Sequence, residues 1–178
     1  MPDQPTPTPE FALAYRAMML DGLGRELEIT KKLIAAIPDD KSGYRPDPNA
    51  RSAWDLAWHL ASADVHLMNG IADLNFKAGS AEEPPKTVVE LVSWYDAKFK
   101  SAMERVAALS AEQLLTPVNF VIYDLPAVYY LGFVNNHSIH HRGELATYLR
   151  PMGSKVPRIY GGSFDEPFQM PKPATSAA

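Results

Sequence analysis

A chain of 178 residues, 46% hydrophobic and 21% charged, is sized for one soluble domain that buries an ordinary core. It has no cysteine, which excludes disulfides, thiolate metal sites and cysteine nucleophiles, and suits a reducing compartment. The 17 basic and 21 acidic residues give a net charge of -4 with no dense Lys/Arg run, which argues against nucleic acid or an anionic membrane as partner. No apolar stretch nears the roughly 20 residues that span a bilayer, and "MPDQPTPTPEF" lacks the basic and apolar regions of a signal peptide, so a cytoplasmic protein is expected.

The Pro- and Thr-rich ends read as tails over 1–9 and 167–178, flanking one domain over 10–166. Within it the first segment of helical period runs from Glu10 to Ile37. Phe11, Tyr15, Met18, Met19, Gly22, Glu26, Ile29, Leu33 and Ile37 recur there at spacings of three and four. Pro38 stops it, and "PDDKSGYRPDPNAR" is a turn-rich connection. The second is capped by Ser52, with Asp55 in its first turn, and runs to about Lys77.

After the break "AGSAEEPP", the third segment covers Thr87 to Leu109, with Val88, Val92, Tyr95, Phe99, Met103 and Val106 on one stripe. "SAEQLLTPVNFVIYDLP" is a longer connection with room for extended chain. The fourth runs from about Leu125 to Leu149, closed by Pro151 and Gly153. "SKVPRIYGGSFDEPFQMPKP" is irregular and expected to lie partly on the body, as ordered loops of that length usually serve a function. Four amphipathic segments without a convincing run of alternating strands predict an all-α four-helix bundle. Trp54, Trp58 and Trp94 read as core or dimer-interface residues.

The five histidines fall in two places: His59 and His66 on the second segment, and His137, His140 and His141 on the fourth. His137 and His141 lie four apart, offset by roughly 40° on one face, so their imidazoles can share an ion. The spacing is that of HExxH proteases, but Ser138 replaces the glutamate that serves there as base. Tyr130, Phe133, Val134, Leu145 and Tyr148 share the face, and Glu144 falls on it too. His140 lies toward its edge.

His59 and His66 share a direction, but seven residues separate them by about 10.5 Å along the axis, too far for one ion. Spacing alone does not choose between them, and a histidine on an apolar face is as readily an ordinary core residue. Asp55, one turn before His59, is either a carboxylate partner for its free ring N–H or simply a first-turn acid, and the second is preferred. Arg142 reads as solvated or structurally paired rather than substrate-binding. A di-iron carboxylate site is excluded, because His141-x-x-Glu144 reverses the required order and has no second copy.

"SAWDLAWHLASA" and "NNHSIHHRGELATYLRPMGSKVPRIYGGSFDE" resemble the DinB/YfiT-like family of bacterial metal-binding bundles, over about residues 10–166. The resemblance implies a four-helix bundle in which His59, His137 and His141 hold a divalent metal, nickel or zinc first and iron or manganese second. It also implies a homodimer and a thiol-dependent S-transferase or isomerase using a low-molecular-weight thiol. That family usually has glutamine where Glu144 stands; the added carboxylate, one turn beyond His141, is open to orienting a ligand imidazole, touching the metal, or pairing with Arg142 or a partner helix, and Glu144 is the one weak candidate for a catalytic role. The alternative expectation is a non-catalytic bundle that binds a ligand or partner, its metal structural or absent. Metal-dependent hydrolysis is a third option, with Glu144 alone placed as base.

Overall fold

A computed structural model describes residues 7–76 and 82–168. Of the expected tails, 1–6 and 169–178 lie outside the described residues, while Thr8 and Pro9 belong to the start of the first helix. Helix α1 spans Pro9–Ala35, with Pro9 at its first position and Thr8 Oγ1 accepting the Phe11 N–H at 3.2 Å. Helices α2 (Ala53–Ala72), α3 (Val88–Ala107) and α4 (Ala111–Leu115) each begin with a capping box, Ser52/Asp55, Thr87/Glu90 and Ser110/Gln113. Strands β1 (Pro117–Phe120) and β2 (Tyr123–Pro126) form an antiparallel hairpin, and helix α5 spans Tyr130–Leu149 behind a 3-10 turn.

The first and third helices end at Ala35 and Ala107, two residues short of the expected Ile37 and Leu109, and two other boundaries differ by more. Helix α2 ends at Ala72, before the expected Lys77, which lies outside the described residues. Leu74 turns left-handed at φ 52, and the Asn75 N–H returns to the Gly70 carbonyl at 2.8 Å. The Phe76 ring then folds onto Gly70, where a Cβ would sit 2.1 Å from it. Helix α5 begins at Tyr130 instead of about Leu125, because Leu125 pairs with Val118 in the hairpin. The connection with room for extended chain thus supplies the two strands.

Helix α1 packs on α3 and α5, and α2 packs on the same two, so α1 and α2 occupy one diagonal of the bundle. The core includes Leu23, Leu27, Leu33, Leu56, Leu60, Met68, Tyr95, Phe99, Val134 and Leu145. Each fully buried leucine there contributes roughly 1.5–3 kcal/mol over leaving it in water. Phe133 departs from its expected inward stripe. It is 39% exposed and meets Phe120 of the hairpin at 5.7 Å. The tryptophans are half-buried against the core, with Trp58 and Trp94 rings 4.9 Å apart.

Thr30, Asp64, Arg142 and the Tyr95 hydroxyl are among the polar groups buried in this apolar interior. The irregular segment after α5 lies on the body, as expected. Gly153 turns it at φ 80, Ser154 Oγ donates to the Ala36 carbonyl at 2.6 Å, and Val156 and Ile159 pack on the core. Among the described residues, no helix is long and apolar enough to cross a membrane.

Candidate metal centre

Helix α2 turns His59 toward α5, and α5 turns His137 and His141 toward α2. One ring nitrogen from each of the three lies within 4.8 Å of the other two. His59 Nε2 and His141 Nε2 are 3.1 Å apart, and the ring centroids are separated by 4.6–5.3 Å. Two nitrogens bound at 2.0–2.1 Å to one ion stand about 2.9 Å apart at a right angle and about 3.4 Å apart at the tetrahedral angle. The observed separation falls inside that interval. The donor set therefore fits a divalent metal ion, three nitrogens being what a site with open positions uses.

What surrounds the imidazoles fixes their tautomers. His137 Nδ1 donates to Asp64 Oδ1 at 2.9 Å, and His141 Nδ1 donates to Glu144 Oε2 at 3.1 Å. Both rings then carry the lone pair on Nε2, the atom a metal needs. His59 Nε2–H can donate to His141 Nε2 as the groups stand. To ligate through Nε2, His59 takes the tautomer with its proton on Nδ1. Asp64 is itself held, its Oδ2 accepting from the buried Tyr95 hydroxyl at 2.9 Å. Burial, then the Asp64 charge, pushes the Tyr95 phenol well above its usual range, so it stays a donor.

Burial and then the positive charge of Arg51 lower the His59 pKa from 6.5 to about 4, with His141 and His137 adding to the effect. Burial likewise lowers His141, although its hydrogen bond to Glu144 opposes the shift. Both imidazoles are neutral near pH 7 and available as ligands. A consequence for stability follows. Between pH 6.5 and about 4 the unfolded chain takes up a proton that folded His59 refuses. The stability present above pH 6.5 is therefore lost as pH falls toward 4. In metal-free protein, the difference in melting temperature between wild type and His59→Gln should shift against wild type over this window. Melting curves at successive pH values read it, and a pH-independent difference would contradict the assignment.

The other sequence candidates lie elsewhere. His66 lines a separate groove with Asn69, Asp73 and Asn75. Asp55 completes the Ser52 capping box and pairs with Arg45 at 2.9 Å, the first-turn role preferred from the sequence. Arg142 points away from the cluster into the core, paired with Glu26 of α1. Ser138 is 3% exposed, which leaves little room there for the glutamate of an HExxH site. Tyr148 reaches Glu144 Oε1 at 3.4 Å, whereas Tyr130 donates to the Val118 carbonyl at 2.6 Å and belongs to the hairpin junction.

Asp64 and Tyr95 are the residues that sequence reasoning missed. A signal for Asp64 existed: it stands at helical spacing from Leu60, Ala61, Leu67 and Met68, all buried, so a carboxylate interrupts an apolar face. Such a group requires a buried partner.

Fold and site together define a mostly helical bundle, with one small hairpin, that carries a cluster of three imidazoles, two of them braced by carboxylates. The chain belongs to the DinB family, whose sequence model matches residues 17–172. It is similar to the uncharacterized protein YrdA of Bacillus subtilis strain 168, 26% identical over 145 residues, covering 79% of this chain and 85% of that one. In fold it resembles the crystal structure of a DinB-like protein, YjoA, from Bacillus subtilis. The TM-score is 0.69 at 24% identity, over 79% of this chain and 96% of that one. A DinB-like protein from Bacillus cereus ATCC 10987 gives a TM-score of 0.69 at 24% identity, over 80% and 95% of the two chains.

Proposed function

We propose that the protein is a metal-dependent enzyme with a mononuclear centre on His59, His137 and His141, of the thiol-dependent S-transferase or isomerase kind. The observation that carries this reading is the convergence of three ring nitrogens, with the Nδ1 atoms of His137 and His141 committed to Asp64 and Glu144. A divalent ion so held supplies Lewis acidity, bringing the pKa of a bound water or thiol toward neutrality. Asp64 and Glu144 fix the orientation of two imidazoles and raise their basicity. Glu144 also lies close enough to the cluster to accept a proton from a thiol delivered there, its second oxygen facing the Tyr148 hydroxyl. The proposal extends to a homodimer and to a low-molecular-weight thiol as the second substrate.

The test is metal analysis of protein purified without a histidine tag, beside the triple variant His59→Ala, His137→Ala, His141→Ala. Wild type is expected to retain about one equivalent of nickel or zinc, as a three-nitrogen site should. The triple variant should retain almost none. Equal metal content in the two ends the proposal. Metal that raises the melting temperature while no thiol is bound or turned over would favour the non-catalytic bundle instead.

A further inference from the structure

Helix α5 carries two interleaved pairs at a spacing of four, His137/His141 and His140/Glu144. Three residues separate the pairs, which places the second about 4.5 Å further along the axis and roughly 60° around it. The first pair faces α2. The second opens outward: His140 is exposed, and the Glu144 side chain is 36% exposed.

Ligand atoms of His140, His141 and Glu144 lie within 4.8 Å of one another, and the rings of His140 and His141 are 4.7 Å apart. The Glu144 carboxylate is only half committed. Oε2 accepts from His141 at 3.1 Å, whereas Oε1 receives a long contact of 3.4 Å from Tyr148. An ionised carboxylate has about four acceptor positions, so capacity remains.

We propose that His140 and Glu144 form a second divalent-cation site on the outer side of His141, with Glu144 ligating through Oε1 while its Oε2 keeps the His141 Nδ1–H and so serves the three-imidazole centre as well. An imidazole and a carboxylate four residues apart can close on one ion from the same helical face. The mixed nitrogen and oxygen set selects zinc, nickel or copper over calcium or magnesium, which take oxygen alone. Affinity is lower than at the inner cluster for two reasons. His140 must be ordered from solvent, and Glu144 already serves His141. The reversed His-x-x-Glu order that excludes a di-iron centre is no obstacle here, since only one helix supplies the ligands.

Metal-stripped, tag-free full chain titrated with zinc by calorimetry, with occupancy read by native mass spectrometry, tests this. Wild type should take up two equivalents, the second roughly tenfold or more weaker than the first. His140→Ala should lose the weaker one and keep the stronger, whereas Glu144→Gln should lose the weaker and bind the stronger about 10–100-fold less tightly, because an amide oxygen still accepts from His141 without the charge that strengthens it as a ligand. His59→Ala should lose the stronger and keep the weaker, while His66→Ala should keep both. A single equivalent in wild type, an unchanged weak equivalent in His140→Ala, or its loss in His66→Ala would overturn the second site. A weak equivalent that depends on His140 in a protein with no strong one would sink the inner centre and leave this site standing.

Discussion

Replacing Arg142 by alanine should cost about 3–5 kcal/mol of stability, because it removes a buried charge with four partners and strips the guanidinium from the half-buried Glu26 carboxylate. Arg142 is 1% exposed and carries a full charge across the interior. It pairs with Glu26, donates to Thr30 Oγ1 at 3.0 Å and to the Glu26 carbonyl at 3.2 Å, and bonds the Tyr160 hydroxyl. Tyr160 in turn donates to Glu26 at 2.9 Å. One guanidinium therefore joins α1, α5 and the segment that follows α5. At about 2–4 °C per kcal/mol for a chain of this size, the melting temperature should fall by roughly 6–20 °C. Proteolysis within 154–168 should also quicken, since Tyr160 loses a tether. The double variant Arg142→Met, Glu26→Leu should recover much of the loss, because a pair replaced by apolar groups leaves no stranded charge. A fall below about 1 kcal/mol in Arg142→Ala would mean that the pair contributes no more than an exposed salt bridge does.

The ends of the helices were legible because they depend on short-range chemistry. Ser52 with Asp55 forms the expected cap, and Pro38 follows α1 at its expected stop. The bundle itself was legible in the period of its apolar residues. Its internal bookkeeping was not, since Leu74 turns left-handed without being glycine, and the Phe76 ring seated on Gly70 is a contact no spacing rule anticipates. Likewise the hairpin takes Leu125 from the periodic pattern of α5, because cross-strand pairing with Val118 competes with helix.

At the site, the spacing of His137 and His141 was local and readable. The choice of His59 over His66 required knowing how α2 is rotated against α5, which is a property of packing. The resemblance of "SAWDLAWHLASA" to the DinB family implied that choice, and the cluster brings together the same three residues. Asp55, one turn from His59 in sequence, caps α2 and pairs with Arg45 instead of meeting the cluster. The carboxylate that braces the cluster from α2 is Asp64, and it serves His137, 73 positions away.

Asp64 should accordingly be the substitution that damages both stability and metal retention. It is 0% exposed, and both its oxygens are occupied, by His137 Nδ1 at 2.9 Å and Tyr95 Oη at 2.9 Å. In Asp64→Ala two buried donors lose their acceptor at about 1–3 kcal/mol each, before any cavity cost. Melting temperature should then fall by roughly 5–20 °C. The His137 ring, free to turn or to exchange its tautomer, should bind metal about 10–100-fold more weakly. Asp64→Asn separates these effects. Its amide oxygen still accepts from His137 and its amide nitrogen can donate to the Tyr95 oxygen, so most of the stability should return. The negative charge that makes imidazole a stronger ligand does not return, and metal affinity should stay well below wild type. Tyr95→Phe completes the set: it leaves the His137 hydrogen bond in place, so it should cost stability while largely sparing metal affinity. Competition with a chromophoric chelator measures the affinities. Should Asp64→Asn hold metal as tightly as wild type, Asp64 is a packing residue that happens to touch His137, and the bracing of the cluster from α2 has no part in its chemistry.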